Sequence, residues 1–233
     1  GFFGGMFFVN EWLTGWLNDF EARYPDGYTN ASRLNELSSW LKSTDQNQAT
    51  NLSLTVNRTY DGVLYTHDTA EYRLAKFKAE MEDYLEKEAV LFYYLFTELF
   101  LMVDSRAKNM FPSLMAGSKW FSLPYDFDTA LGINNEGSLT FSYHLEDIDK
   151  TTSGADVYNG QESVLWNNFR DAFPDKIQET YQNWRKDGRL TKAKLVEYFI
   201  TRGSKKWCAN IYNDDSEYKY IEMLKTDGDA TNL

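Results

Sequence analysis

The chain has 233 residues, 42 % of them hydrophobic and 25 % charged, and a formal net charge of −11. That length holds one large domain or two small ones with room for a real core. A surface this acidic repels nucleic-acid backbones and anionic lipid, so no nucleic acid is expected as a partner. No membrane span is expected either, because no run reaches the roughly 18–20 apolar residues that one needs.

Aromatic residues make up 17 % of the chain, enough to fill a core and to leave some for contacts with other chains. Cys208 is the single cysteine, which excludes an intrachain disulfide framework and a cysteine-rich metal site. His67 and His144 lie far apart, which disfavours a histidine-based metal or nucleophile site. The chain begins at Gly1 rather than Met, which suggests a segment of something longer.

Taken in chain order, aromatic-rich Phe7–Arg23 predicts a helix that stops at the turn signal Pro25-Asp26-Gly27. Leu34, Leu37 and Leu41 recur at helical spacing and predict a second helix over Asn30–Ser43, with Asn30 as its N-cap. Leu52–Thr66 is rich in Thr, Val and Tyr around Asp61-Gly62 and reads as a hairpin. Asp68 is the expected cap of a helix over Thr69–Lys87, with Glu71 as capping-box partner and Leu74, Phe77, Met81 and Tyr84 as the apolar stripe. Arg73, Lys76 and Lys78 are then expected on its solvated face.

The nearly continuous apolar run Ala89–Val103 is too long for a buried strand and reads as the central helix. Short strands are expected at Lys119–Leu123 and Gly137–Tyr143, and a polar loop at Asp149–Gly160. Helices follow over Glu162–Phe173, Pro174–Lys186, Thr191–Arg202, Lys205–Asn213 and Ser216–Leu224, with Pro174 at a first helical position and Gly188 as a stop. The fold class is therefore α+β and predominantly helical, with short strands and one hairpin. Residues 1–66 form an N-terminal part and residues 67–233 a helical domain that carries an acidic site.

That site is a pair of motifs. The apolar helix runs into Asp104, and Asn109 follows five positions later in Asp104-Ser105-Arg106-Ala107-Lys108-Asn109. Seventeen residues beyond Asn109 lies Asp126, in Pro124-Tyr125-Asp126-Phe127-Asp128. Phosphoryl transfer needs carboxylate and amide oxygens to hold Mg²⁺ on the phosphates, and a group to orient the acceptor hydroxyl. Asp104, Asn109 and Asp126 have the order and rough spacing by which protein kinases supply those groups. Taken alone, Asp104 and Asn109 read equally well as caps at the end of a buried helix.

Leu95–Met110 followed by Lys119–Gly132 resembles the CotH family of atypical, spore-coat-type protein kinases. The resemblance rests on the apolar helix, Asp104, Lys108-Asn109, Lys119-Trp120, Pro124-Tyr125-Asp126-Phe127-Asp128 and Gly132. It implies a kinase-like C-lobe, with Asp104 as the catalytic-loop Asp and Asn109 as a metal or phosphate ligand. Asp126 would be the main metal-binding Asp, assisted by Asp128, with Lys108 and Asn109 near the nucleotide. The implied cofactors are ATP with Mg²⁺ or Mn²⁺, and the implied reaction is phosphorylation of a Ser or Thr hydroxyl.

One part of that machinery is not visible in the sequence. No Gly-rich loop and no strand lysine precede Asp104, so the nucleotide-covering lobe either lies before Gly1 or is degenerate.

A second resemblance spans Ala22–Pro25, Phe92–Asn109, Leu123–Leu139, Asn159–Trp166 and Arg170–Pro174. These segments are similar to parts of large virion proteins of tailed bacterial viruses, in which a CotH-like domain sits within a tail polypeptide. It implies a virion (tail-associated) location after synthesis in the bacterial cytoplasm, other virion structural proteins as partners, and an oligomeric assembly. Three roles follow: a structural module of a phage tail, an active CotH-type kinase, or a module that uses the acidic cluster to bind metal for stability.

Overall fold

Two strands occupy the described ends of the segment Phe7–Arg23 that was expected to be helical. β1 (Met6–Val9) and β2 (Phe20–Tyr24) pair antiparallel, with Phe7 opposite Ala22, Phe8 opposite Glu21 and Val9 opposite Phe20. Aromatic and β-branched residues accept a helix in isolation but favour a pleated surface once a partner strand is offered. β1 and β2 are each other's first partners, and a second partner is distant in sequence: Met6 of β1 pairs with Ser113 of β5 (Met110–Ser113), and β5 pairs with β6 (Phe121–Pro124). The sheet runs β2-β1-β5-β6. β6 is the strand expected at Lys119–Leu123, and β5 was not anticipated.

The computed structural model describes residues 6–9, 20–24, 30–46, 56–102, 105, 106, 110–114, 119–125, 127, 130–132 and 163–198. They divide between two units, residues 1–177 and residues 178–233. The strand expected at 137–143, the loop at 149–160 and the helices beyond residue 204 lie outside the described residues.

In the first unit, α1 (Ser32–Ser43) buries Leu34, Leu37 and Leu41 as their spacing requires, joined by Trp40. The cap position is Ala31 rather than Asn30. Asn30 Oδ1 instead accepts the Ser32 N–H at 3.0 Å, two residues on, closing a local turn before the helix. The hairpin forms as expected from β3 (Arg58–Tyr60) and β4 (Val63–Tyr65), with Tyr60 opposite Val63. Asp61 and Gly62 both take positive φ, 47° and 80°, as a two-residue turn matching the strand twist demands.

α2 (Ala70–Tyr84) is capped by Thr69, not Asp68: Thr69 Oγ1 accepts the Tyr72 N–H at 3.2 Å. Asp68, at φ 64°, turns away to pair with Arg73. Phe77 and Met81 of the expected stripe are buried, Leu74 and Tyr84 half-buried, and Tyr72 joins the core. Arg73 is a correction: it is 1 % exposed rather than solvated, and its Nη1 donates to the Ser43 carbonyl at 3.1 Å. Lys76 is likewise engaged, pairing with Glu80 one turn on, whereas Lys78 is exposed.

α3 (Lys87–Leu99) is the central helix; it begins two residues earlier than Ala89–Val103, and it ends earlier because Leu101 (φ 43°) turns the chain. Five of its residues, Val90, Leu91, Tyr93, Tyr94 and Leu95, are buried hydrophobics. α4 (Val164–Ala172) adds Leu165, Trp166 and Phe169. α5 (Pro174–Lys186) starts on its proline as expected, and Gly188 follows at φ 83°. α6 (Lys192–Tyr198) lies within the helix expected at Thr191–Arg202.

Aromatic stacking joins the helices. Trp40 of α1 stacks on Phe77 and Tyr84 of α2 at centroid distances of 5.3 and 4.5 Å. Its indole N–H donates to Glu80 Oε2 at 3.1 Å, and the Tyr60 hydroxyl donates to Glu80 Oε1 at 3.1 Å. One carboxylate thereby ties α1, the hairpin and α2 together. Asn168 of α4 ties in the end of α1: its Nδ2 donates to the Thr44 carbonyl at 2.9 Å and to Thr44 Oγ1 at 3.0 Å, and its Oδ1 accepts from Gln46 at 2.7 Å. The result is an α+β, helix-dominated fold.

Candidate functional site

Asp104, Lys108, Asn109, Asp126 and Asp128 lie outside the described residues. The chain on either side of them is described, and it converges at two places. The β5–β6 ladder sets Met110, the residue after Asn109, opposite Pro124, two before Asp126. At the other end the Leu131 N–H donates to the Phe100 carbonyl at 2.6 Å, and the Gly132 N–H to the Leu101 carbonyl at 2.9 Å. The chain entering the Asp104 run is thus stitched to the chain leaving the Asp128 run.

The two hydrogen bonds at this second place use strained residues. Leu101 and Leu131 adopt φ 43° and 62°, a left-handed conformation costing a non-glycine residue about 1–2 kcal/mol. Such cost persists where surrounding contacts over-determine it. Leu101 is 5 % exposed, and the two hydrogen bonds just described involve its own carbonyl and the Leu131 amide.

Inside the first run, Ser105 and Arg106 are described, and both are buried. The Tyr93 hydroxyl of α3 donates to the Ser105 carbonyl, and Trp166 Nε1 of α4 donates to the Arg106 carbonyl at 3.1 Å. The two rings stack on each other at 5.6 Å. The Arg106 guanidinium pairs with Glu98 and lies over the rings of Tyr94 and Trp166 at 4.7 and 5.8 Å. Burial first, and then the Glu98 carboxylate, push the Tyr94 phenol above its ordinary pKa, and Arg106 partly offsets this. Among the described residues, Ser105 Oγ is buried without a hydrogen-bond partner.

Lys119-Trp120 holds the second motif in place. The Trp120 N–H donates to the Tyr84 carbonyl and the Glu86 N–H to the Trp120 carbonyl, each at 2.8 Å, which docks the start of β6 between α2 and α3. Trp120 itself is 2 % exposed, so its indole is a core anchor. On the outside, Phe96 contacts Phe92, Phe100 and Phe127 at 5.7, 5.1 and 5.6 Å. Phe92, Leu123, Tyr125 and Phe127 remain exposed, so an apolar surface borders the acidic run.

The donor set of Asp104, Asn109, Asp126 and Asp128 offers only oxygen ligands, which suits a hard cation such as Mg²⁺ or Mn²⁺. Among the described residues no strand carries a lysine and no three acidic, His or Cys side chains cluster around a metal-sized space. Sequence reasoning missed Tyr93, Trp166 and Arg106 as parts of this region. Arg106 was in plain view between Asp104 and Asn109, but nothing local marks Tyr93 as the partner of Ser105, or a tryptophan 60 residues further on as the partner of Arg106.

Among the described residues, an apolar helix leads to the held pair Ser105 and Arg106, and its end is bonded to Leu131 and Gly132, within an α+β, helix-dominated domain. The family model described as CotH kinase protein matches residues 30–202, about three-quarters of the chain. The chain belongs to that family. No curated protein and no solved structure matches it.

Proposed function

We propose that the domain binds ATP with Mg²⁺ or Mn²⁺ at Asp104, Asn109, Asp126 and Asp128 and transfers phosphate to a Ser or Thr hydroxyl of a partner protein. The observation that supports this most is the double stitch, Met110 with Pro124 and Leu101 with Gly132, at the two ends of the acidic runs. In this reading Asp104 orients the acceptor hydroxyl and takes its proton, Asn109 and Asp126 hold the cation with Asp128 assisting, and Lys108 faces the phosphates. The bound cation would neutralise charge developing on the transferred phosphoryl group.

The test is Mg²⁺-dependent ATP binding and autophosphorylation by the folded protein, compared with Asp126→Ala. Removing a principal metal ligand should abolish detectable phosphorylation and weaken metal-dependent nucleotide binding by about tenfold or more. A folded protein with no affinity for Mg-ATP overturns the reading. If Asp126→Ala instead lowers thermal stability only when metal is present, the acidic cluster is a structural metal site.

A second reading is a tail-associated structural module of a bacterial virus, making assembly contacts with other virion proteins. It draws on the exposed apolar side chains of Phe92, Leu123, Tyr125 and Phe127, since large apolar and aromatic residues anchor interfaces. Its test is detection of the chain in assembled particles, and absence from purified virions counts against it.

A further inference from the structure

We infer that Tyr93 and Trp166 are positioning residues that hold the backbone at Ser105 and Arg106, between Asp104 and Asn109, an inference resting on the phosphotransfer reading of that run. The two residues described inside the run, Ser105 and Arg106, each have their carbonyl oxygen held by one aromatic donor from a different helix, α3 and α4. A peptide carbonyl fixed from outside loses its freedom to rotate, and consecutive fixed carbonyls fix the direction in which the chain continues. The donors themselves have little freedom. Tyr93 is 1 % and Trp166 2 % exposed, and their rings stack at 5.6 Å.

Arg106 completes the clamp from the side-chain end. Its guanidinium lies over Tyr94 and Trp166 and pairs with Glu98 of α3, so Trp166 of α4 meets both its carbonyl and its side chain. A run that must place an acceptor-orienting Asp and a metal-binding Asn five residues apart gains from such a brace. Errors of about 1 Å in that placement cost large factors in rate.

Tyr93→Phe removes a single hydroxyl while keeping the ring, and Trp166→Phe removes the other donor. Tyr60→Phe serves as the control, since it deletes a comparable phenol hydrogen bond, to Glu80 rather than to the run. Two readouts are needed: hydrogen exchange of the peptide spanning residues 104–110, and affinity for Mn-ATP.

Loss of one buried hydrogen bond should speed exchange in that peptide about fivefold in Tyr93→Phe and Trp166→Phe, and leave it unchanged in Tyr60→Phe. Mn-ATP affinity should fall about five- to tenfold in the first two variants alone. Unchanged exchange in both variants overturns the inference, as does faster exchange with unaltered Mn-ATP affinity. If the wild-type protein binds no Mn-ATP, the phosphotransfer reading has failed by itself, and the exchange result alone then decides whether Tyr93 and Trp166 hold the run.

Discussion

Arg73 shows how a buried cation is accommodated in an acidic chain. Its guanidinium spans two elements, with one nitrogen on the Ser43 carbonyl at the end of α1 and another on Asp68 ahead of α2. Truncation leaves that carbonyl unsatisfied, a cavity, and a carboxylate that is about two-thirds sheltered. Arg73→Ala should therefore cost about 2–4 kcal/mol by urea denaturation. Arg73→Met, which refills the volume, should cost clearly less, and equal losses for the two would show that packing is not the issue. Sequence periodicity could not reveal this burial, because one partner of Arg73 lies 30 residues away.

A second residue-scale effect concerns phenols. Burial and then Glu80 push the Tyr60 phenol far above the ordinary value of 10.0, and the same two causes raise Tyr84. Tyr94 is raised by burial and Glu98. A raised phenol is still neutral in the folded protein when the unfolded chain has begun to ionise. Their contribution is thus complete below about pH 10 and is lost as pH rises beyond it. Alkaline titration of tyrosinate absorbance should show a late-titrating fraction that appears only as the fold melts. Uniform titration of every tyrosine near pH 10 in folded protein would contradict this.

Among the elements, the hairpin was the easiest to read and the N-terminal strands the hardest. Asp61-Gly62 carries its geometry locally, because both positions need positive φ and few residues accept it. No neighbour lies within 4 Å of a Cβ built on Gly62, so Gly62→Ala meets no clash and pays only for its φ of 80°. The expected loss is about 1 kcal/mol, and Gly62→Asn should recover part of it. A loss near zero for the alanine variant, measured by urea denaturation, would mean that the turn relaxes to another type.

β1 and β5 carry no such local mark. β5 reads Met-Phe-Pro-Ser, four buried residues including a proline that lacks an N–H. Only pairing with β1 and β6 makes it a strand. The same dependence explains why Phe7–Arg23 looked helical: its aromatic run is compatible with either period until its two ends pair with each other as β1 and β2. In the candidate site the acidic motifs were legible as sequence. Their brace was not, because Tyr93 and Trp166 meet Ser105 and Arg106 only through the packing of α3 and α4.

At the scale of the whole chain, burial is unevenly shared. α3 and α4 carry Tyr93, Leu95, Trp166 and Phe169 at 5 % exposure or less, whereas α5 and α6 have no buried residue. Isolated helices of this length are marginal in water, so a helix without buried side chains takes little stability from its surroundings. α5 and α6 do have local support: Pro174 at the first position, Gly188 beyond the end, and Lys194 paired with Glu197 at 3.0 Å. Such devices contribute tenths of a kcal/mol each, whereas a fully buried side chain contributes about 1.5–3. Opening of α5 beyond residue 177 and of α6 should therefore precede global unfolding. Native-state hydrogen exchange should find amides in α3 and α4 at least about a hundredfold more protected than those of residues 180–198. Equal protection across all four helices would mean that α5 and α6 are stabilised by contacts their own exposure does not reveal, and the order of unfolding argued from burial would be wrong.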